Sequence, residues 1–390
     1  MIHWLARIYR RTGIHAAPAG TLLYWVHSCV LRVKRRKSLR YSTVAPFSRG
    51  PFGATPYYDI ARMRRTRPVG GLALIFFMGA GDYLMATPLI RALHLAYPDL
   101  PIYAFGSSHM DNVSSSLVIG LLKVNPLIDR VFSYSGRPRQ VWTDYDFQDA
   151  LKDIPPDFII LPVIYDVEPT VFHRTTSLLE TFNLPVDLPL PVPIAYPAPL
   201  SARAIEILTV LQSRIKASSP TAVVCTHFGA RSSAYEYPHA ASLVRQLAGR
   251  GCLVIGFSPT DVKNDNVFDI DVSTIAPADT IELLRALKAG PEKLCVISVN
   301  SLMWPISAAL NVPNLGLHVF RDPSMHQYLY PNIFVVTPHF FSSLPAFRMF
   351  LAPSGSYQQR SSSIGSTTFI DYNPEYVVDS FEAMMASAFL

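Results

Sequence analysis

The chain has 390 residues, 49% of them hydrophobic and 16% charged, which is long enough for two globular domains of ordinary size. Its four cysteines, Cys29, Cys225, Cys252 and Cys295, show no CxxC spacing, which argues against a disulfide framework or a zinc site and fits a reduced, cytosolic protein. The net charge of +6 conceals an asymmetry: residues 1–67 hold 14 Lys/Arg against a single acid, Asp59, while the other 323 residues hold 20 Lys/Arg against 27 Asp/Glu. Basicity therefore belongs to an N-terminal arm, and the acidic body argues against nucleic acid as a partner.

The arm, residues 1–67, opens with Trp4, Leu5, Ile8 and Tyr9, which share a face if the segment is helical. A second apolar run, Leu22 to Leu31, carries Trp25 and His27 and meets Arg32-Val33-Lys34-Arg35-Arg36-Lys37. That run is about half the length needed to span a bilayer. Aromatic and aliphatic residues beside a basic cluster suit an interfacial segment on anionic lipid, through residues 1–40. A solvated extension and an organellar transit peptide are the competing readings.

From Gly70 onward strands and helices alternate. The apolar run 72–77 predicts a strand, a glycine turn follows, and a helix is expected near 82–96, ended by Pro98. Strands are expected near 101–105, 129–133 and 157–164, and a helix near 172–182, with the stretch from Trp142 to Asp146 as loop. The alternating prolines of 186–199 forbid a central strand and favour an extended connector, so a domain boundary falls at 188–199. Beyond it the theme repeats. Helices are expected near 200–215, 237–249, 277–288 and 303–310, and strands at 221–227, 252–257, 294–299 and 314–319. The tail 336–390 is less regular and ends in a helical segment near 374–389. The expected architecture is α/β: two doubly wound, Rossmann-like domains, 68–187 and 200–335, facing a cleft at the carboxyl ends of their sheets.

Two distant segments carry the candidate chemistry. The first runs from Gly79-Ala80-Gly81-Asp82 into the helix. It is not a dinucleotide fingerprint, because Leu84 stands where the third glycine belongs. Asp82 is either a base or merely the helix N-cap. The second segment, Asn300 to Pro313, follows the run at 294–299. Two Asp-x-Asp triplets, Asp144-Tyr145-Asp146 and Asp269-Ile270-Asp271, read as loop acids rather than metal ligands.

The stretch Gly81-Asp82-Tyr83-Leu84-Met85-Ala86-Thr87-Pro88-Leu89-Ile90-Arg91-Ala92-Leu93 resembles the opening signature of glycosyltransferase family 9, the ADP-heptose:lipopolysaccharide heptosyltransferases. His227-Phe228-Gly229-Ala230-Arg231 is similar to that family's His-Pro-Gly-Ala-Arg turn, Tyr237-Pro238 to its Trp-Pro, Val254-Ile255-Gly256 to its second-strand glycine turn, and Ala308-Ala309-Leu310-Asn311-Val312-Pro313 to its Ala-Ala-Leu-Gly-Val-Pro. The resemblance covers residues 70–330 and implies a GT-B fold. It implies an inverting, metal-independent transfer of a heptose-like sugar from a nucleotide diphosphate donor, ADP-heptose-like, to a lipopolysaccharide or other surface-glycan hydroxyl. It implies no cofactor and a site at the cytoplasmic face of a membrane. Asp82 matches the catalytic base. His227, Gly229, Ala230, Arg231, Asn300 and Ser301 match donor-binding positions. On the acceptor side stand Gly81 and, for an anionic acceptor, Arg137 and Arg139.

The sequence also departs from that pattern. Tyr235 stands where a lysine is usual. Asn300-Ser301-Leu302-Met303-Trp304-Pro305 replaces Asp-Ser-Gly-x-x-His, so that a charge, a close backbone approach and a donor are lost, and Trp304 is placed either to stack on a base or to pack. A catalytically degenerate GT-B scaffold serving in binding or assembly is the alternative from a different class. A nucleotide-sugar epimerase on the same fold is the third.

Overall fold

The computed structural model describes residues 58–76, 79–107, 116–134, 152–163, 174–185, 192–229, 236–299, 301–317, 330, 332–336 and 373–389. These fall into two compact units that divide between Ala198 and Pro199.

The first unit is built on four parallel strands: β1 (Gly71–Phe76), β2 (Ile102–Ser107), β3 (Arg130–Tyr134) and β4 (Phe158–Val163), in the order β3-β2-β1-β4. Every residue of β1 is buried, as expected of a parallel strand covered on both faces. Gly71 is required by its neighbour, since a Cβ there would stand 2.3 Å from the Phe158 ring. The helices are α1 (Ile60–Thr66), α2 (Ala80–Ala96), α3 (Ser116–Lys123) and α4 (Arg174–Thr181).

Helix α1 and α3 were not expected from the sequence. The Asp59 side chain accepts from Arg62 N at 2.9 Å and so starts α1, while Tyr58, Ile60 and Met63 are buried. The last residues of the basic arm thus belong to the folded body. Arg64 holds Asp99 through two bonds, at 2.6 and 3.1 Å, in an exposed pair that contributes little to stability.

The second unit has six parallel strands, β5 (Val223–His227), β6 (Leu253–Gly256), β7 (Val267–Asp269), β8 (Leu294–Val299), β9 (Asn314–Leu317) and β10 (Ile333–Val336), in the order β10-β9-β8-β5-β6-β7. Its helices are α5 (Ala202–Ser218), α6 (Ala240–Gly249), α7 (Pro277–Lys288), α8 (Met303–Leu310) and α9 (Pro374–Ala388). Strands β7 and β10 were not expected. Three residues of β7 are too short a run to show a period, and one of them is Asp269, read from sequence as a loop acid.

Helix α9 occupies the helical segment expected near 374–389. The Asn373 side chain accepts from Tyr376 N at 2.7 Å, and Pro374 occupies the first helical turn, where a missing N–H costs nothing. Val377, Val378, Phe381 and Met384 join the core formed by α6, β8 and β9. Arg250 of α6 meets Glu382 at 2.9 Å on the rim. Truncating Phe381 to alanine should therefore destabilise the protein by about 3 kcal/mol, read from urea denaturation; Glu382→Ala should change it by less than about 1 kcal/mol. Among the described residues no helix is long and apolar enough to cross a membrane.

Candidate functional site

In an open parallel sheet, ligands bind where the chain, having built outward on one side of its first strand, returns to the other side. There the two flanking connections diverge and leave a crevice at the carboxyl ends. In the first unit that point lies between β1 and β4, and in the second between β5 and β8. The segments singled out from the sequence follow β1, β5 and β8, so they emerge at these two points.

At the first point α2 begins one residue after its N-cap, Gly79. That residue has extended backbone and no capping side chain. Asp82 is the third residue of the helix and is partly exposed, as is Gly81. Asp82 is therefore not the N-cap. The helix is fixed immediately beside it. Tyr83 is buried and lies edge-on to Phe76, with centroids 5.4 Å apart. Its Oη accepts from Asn125 Nδ2 at 3.1 Å and donates to Leu121 O at 3.4 Å.

One turn further on, Pro88 lies inside α2 and has no N–H to give the Leu84 carbonyl. Thr87 Oγ1 donates to Leu84 O at 2.7 Å instead, and itself accepts from Ile194 N at 2.7 Å. Thr175 Oγ1 of α4 donates to Met85 O at 2.9 Å. The helix beside the proline is thus fastened to α4 through Met85 and to the extended segment 192–198 through Thr87. Sequence reasoning gave Tyr83 and Thr87 no role beyond their place in the signature and did not pick out Asn125. Thr-Pro inside a helical pattern was the available signal.

At the second point His227 ends β5, and its Cα partner across the sheet is Ser298 of β8. The His227 side chain keeps some exposure, but its Nδ1 is buried without a hydrogen-bond partner. Burial pushes the imidazole down to about 4, so at neutral pH it is uncharged. It can donate or accept a hydrogen bond but supplies no positive charge. The connection after β5 is pinned at both ends. Phe228 N donates to Ser258 Oγ at 2.8 Å, Tyr237 N to Phe228 O at 3.2 Å, and the two rings pack with centroids 5.5 Å apart. Tyr237 is buried, so it is an anchor. Gly229 is partly exposed between them. Ala230, Arg231 and Tyr235 lie outside the described residues, as do Asn300, Arg137, Arg139 and the triplet Asp144 to Asp146.

Ser301 heads the connection from β8 to α8 and is partly exposed. Its Oγ accepts from Met303 N at 3.2 Å, and its carbonyl accepts from Trp304 N at 3.3 Å. Pro305 has no N–H, and Ile306 N donates to Leu302 O at 3.3 Å. From Met303 to Ile306, every backbone N–H that exists is engaged within the chain. A helix start normally leaves such donors for a cap or a ligand. The Ser301 hydroxyl hydrogen is a donor this turn can present. Trp304 is buried and packs, its Nε1 donating to Ser298 O at 3.3 Å. It does not present a face for stacking.

The triplet Asp269-Ile270-Asp271 is divided. Asp269 ends β7, and its Oδ2 accepts from Thr260 N at 3.2 Å. A Cβ on Gly256 would come 2.1 Å from Oδ1. Burial raises its carboxyl above the ordinary range. Asp271 starts a 3₁₀ turn, accepting from Ser273 Oγ at 2.6 Å and Ser273 N at 3.0 Å, and these bonds lower it. Among the described residues no group of three His, Cys, Asp or Glu side chains is placed to hold a metal ion.

No family model matches the sequence, and no curated protein matches it. Solved structures do match in fold. The chain is similar to the ADP-heptose lps heptosyltransferase II of E. coli, with a TM-score of 0.53 and 16% identity, over 82% of this chain and 100% of that one. It is similar to a glycosyl transferase family 9 protein of Veillonella parvula, with a TM-score of 0.55 and 10% identity, over 82% of this chain and 98% of that one. The two parallel sheets with their helices are the GT-B fold of these proteins, as the sequence resemblance implied.

The depressed His227 sets a pH dependence. Between about 6.5 and about 4 the unfolded chain binds a proton at this position and the folded one does not, so stability falls as pH falls through that window and levels off below it. Denaturation midpoints at pH 7, 5.5 and 4.5 should show a steeper loss for wild type than for His227→Gln. Parallel profiles would mean that the imidazole is not held neutral.

Proposed function

We propose that the protein is an inverting, metal-independent glycosyltransferase, moving a heptose-like sugar from a nucleoside diphosphate to a hydroxyl of lipopolysaccharide or another surface glycan. The observation that carries this reading is the position of Asp82. It is a partly exposed carboxylate in the first turn of α2, at the switch point of the first sheet, and Gly79 occupies the N-cap position. The GT-B likeness to a heptosyltransferase supports the substrate class. In this reading residues 68–187 take the acceptor, residues 200–335 take the donor, and 188–199 join them.

The acceptor hydroxyl attacks the anomeric carbon and Asp82 takes its proton. The bond from that carbon to the diphosphate oxygen breaks, and the nucleoside diphosphate leaves from the opposite face, inverting the centre. The departing charge is met by the backbone of Gly229 and Ala230, the Arg231 guanidinium, and hydrogen bonds from Asn300 and the Ser301 hydroxyl. His227 adds a hydrogen bond and no charge. Gly81 and, for an anionic acceptor, Arg137 and Arg139 serve the acceptor side. The basic segment 1–40 holds the enzyme to an anionic membrane surface on the cytoplasmic side.

A second reading, a binding scaffold without catalysis, is favoured by one observation: the N–H groups that open α8 are already engaged. The two readings separate experimentally. With purified full-length protein, Asp82→Asn should lower sugar transfer by about 10²- to 10⁴-fold while leaving the ADP dissociation constant unchanged. Full transfer by that variant removes Asp82 from the mechanism. No thermal shift of wild type with ADP, other nucleoside diphosphates or their sugars leaves the scaffold reading.

A further inference from the structure

Beneath the β8–α8 connection lies a buried polar cluster that the transfer chemistry does not use. Ser298, Ser307 and Asn314 are fully buried, and Trp304 is 3% exposed. Asn314 Nδ2 donates to Ser307 Oγ at 2.9 Å and to Ser298 Oγ at 3.5 Å, and Ser307 Oγ donates to Met303 O at 2.7 Å. Asn332 Nδ2 ties the far end of α8, donating to Ser307 O and Val312 O, each at 2.8 Å. The Trp304 indole N–H reaches back six residues to the Ser298 carbonyl.

That last bond closes the turn. The chain leaves β8 at Val299 and enters α8 at Met303, so it must reverse within three residues. Leu302 occupies the position where a glycine would allow a tighter path. A buried indole N–H without access to water holds one geometry, because breaking the bond leaves it unsatisfied. The carbonyl that receives the indole belongs to Ser298, whose Cα is registered with His227 across the switch point. The bond therefore fixes the Ser301 turn relative to β5, the strand that carries the other donor-side residues of the same unit.

We propose that Trp304 is the positioning residue of this half-site: its indole N–H, anchored on Ser298, sets where the Ser301 hydroxyl is presented to a nucleoside diphosphate. This rests on the donor reading above and adds to it. Trp304 touches no substrate.

The test compares full-length wild type, Trp304→Phe and Ser307→Ala. Phenylalanine keeps an aromatic ring and loses the N–H. Ser307→Ala removes a buried hydroxyl on the same helix and leaves the indole bond. Both variants should lower the melting temperature by a few degrees. Only Trp304→Phe should weaken ADP, raising its calorimetric dissociation constant roughly 3- to 10-fold, the loss of about one hydrogen bond. Wild-type affinity in Trp304→Phe, or equal weakening in Ser307→Ala, overturns the proposal while the donor reading stands. If wild type binds ADP, hydrogen–deuterium exchange over residues 298–304 should slow in the complex. Unchanged exchange there overturns the proposal even if Trp304→Phe does not fold. Failure of wild type to bind any nucleoside diphosphate overturns the donor reading, and this proposal with it.

Discussion

Each unit is organised by its first strand. Strands β1 and β5 are hydrogen-bonded to parallel neighbours on both sides, and the chain reaches those neighbours in opposite directions. A parallel strand cannot turn back directly, so the chain crosses over a face of the sheet, through a helix after β1, β2, β5, β7 and β8, and the connections flanking the first strand part at its carboxyl end. The chemistry-bearing segments follow β1, β5 and β8. Their positions are consequences of strand order, which in turn leaves β1 and β8 buried throughout.

Around that frame, unmet backbone groups set the local architecture. Pro88 leaves the Leu84 carbonyl open, and Thr87 closes it while fastening the segment at Ile194. At α8 the same accounting runs the other way: Ser301, Leu302 and the absent N–H of Pro305 leave the helix start complete without a ligand. The two helix starts therefore differ in kind. One holds a partly exposed carboxylate beside a locked tyrosine. The other holds a self-satisfied turn with one hydroxyl.

The legible part of the fold was its long apolar segments. The strand expected at 294–299 and the helix near 303–310 coincide with β8 and α8, because six consecutive buried residues and the apolar run after them have unmistakable patterns. Helix α1 was hidden by its charge, four arginines in or beside seven residues, although Tyr58, Ile60 and Met63 are its buried face. At the site, the positions of Asp82, His227 and Ser301 on their elements were legible. The burial that neutralises His227 was not, since a strand-end histidine reads alike in a solvated and a dry environment. Nor was the fate of Trp304, whose choice between stacking and packing depends on whether the Ser298 carbonyl lies within reach.

By itself the sequence determined the alternation of strands and helices, the divided charge, the GT-B class and the identity of the residues at each strand end. The GT-B class rests on the motif resemblance; the rest follows from hydropathy period, proline placement and side-chain type, which are local properties. Only the tertiary structure decided that Gly79 rather than Asp82 occupies the N-cap position of α2, that Asp269 and Asp271 serve separate bonds, and that the N–H groups of the first turn of α8 are engaged within the chain. Each of those outcomes depends on which hydrogen-bonding groups meet after folding, and such meetings are set by strand order and packing that no local pattern encodes.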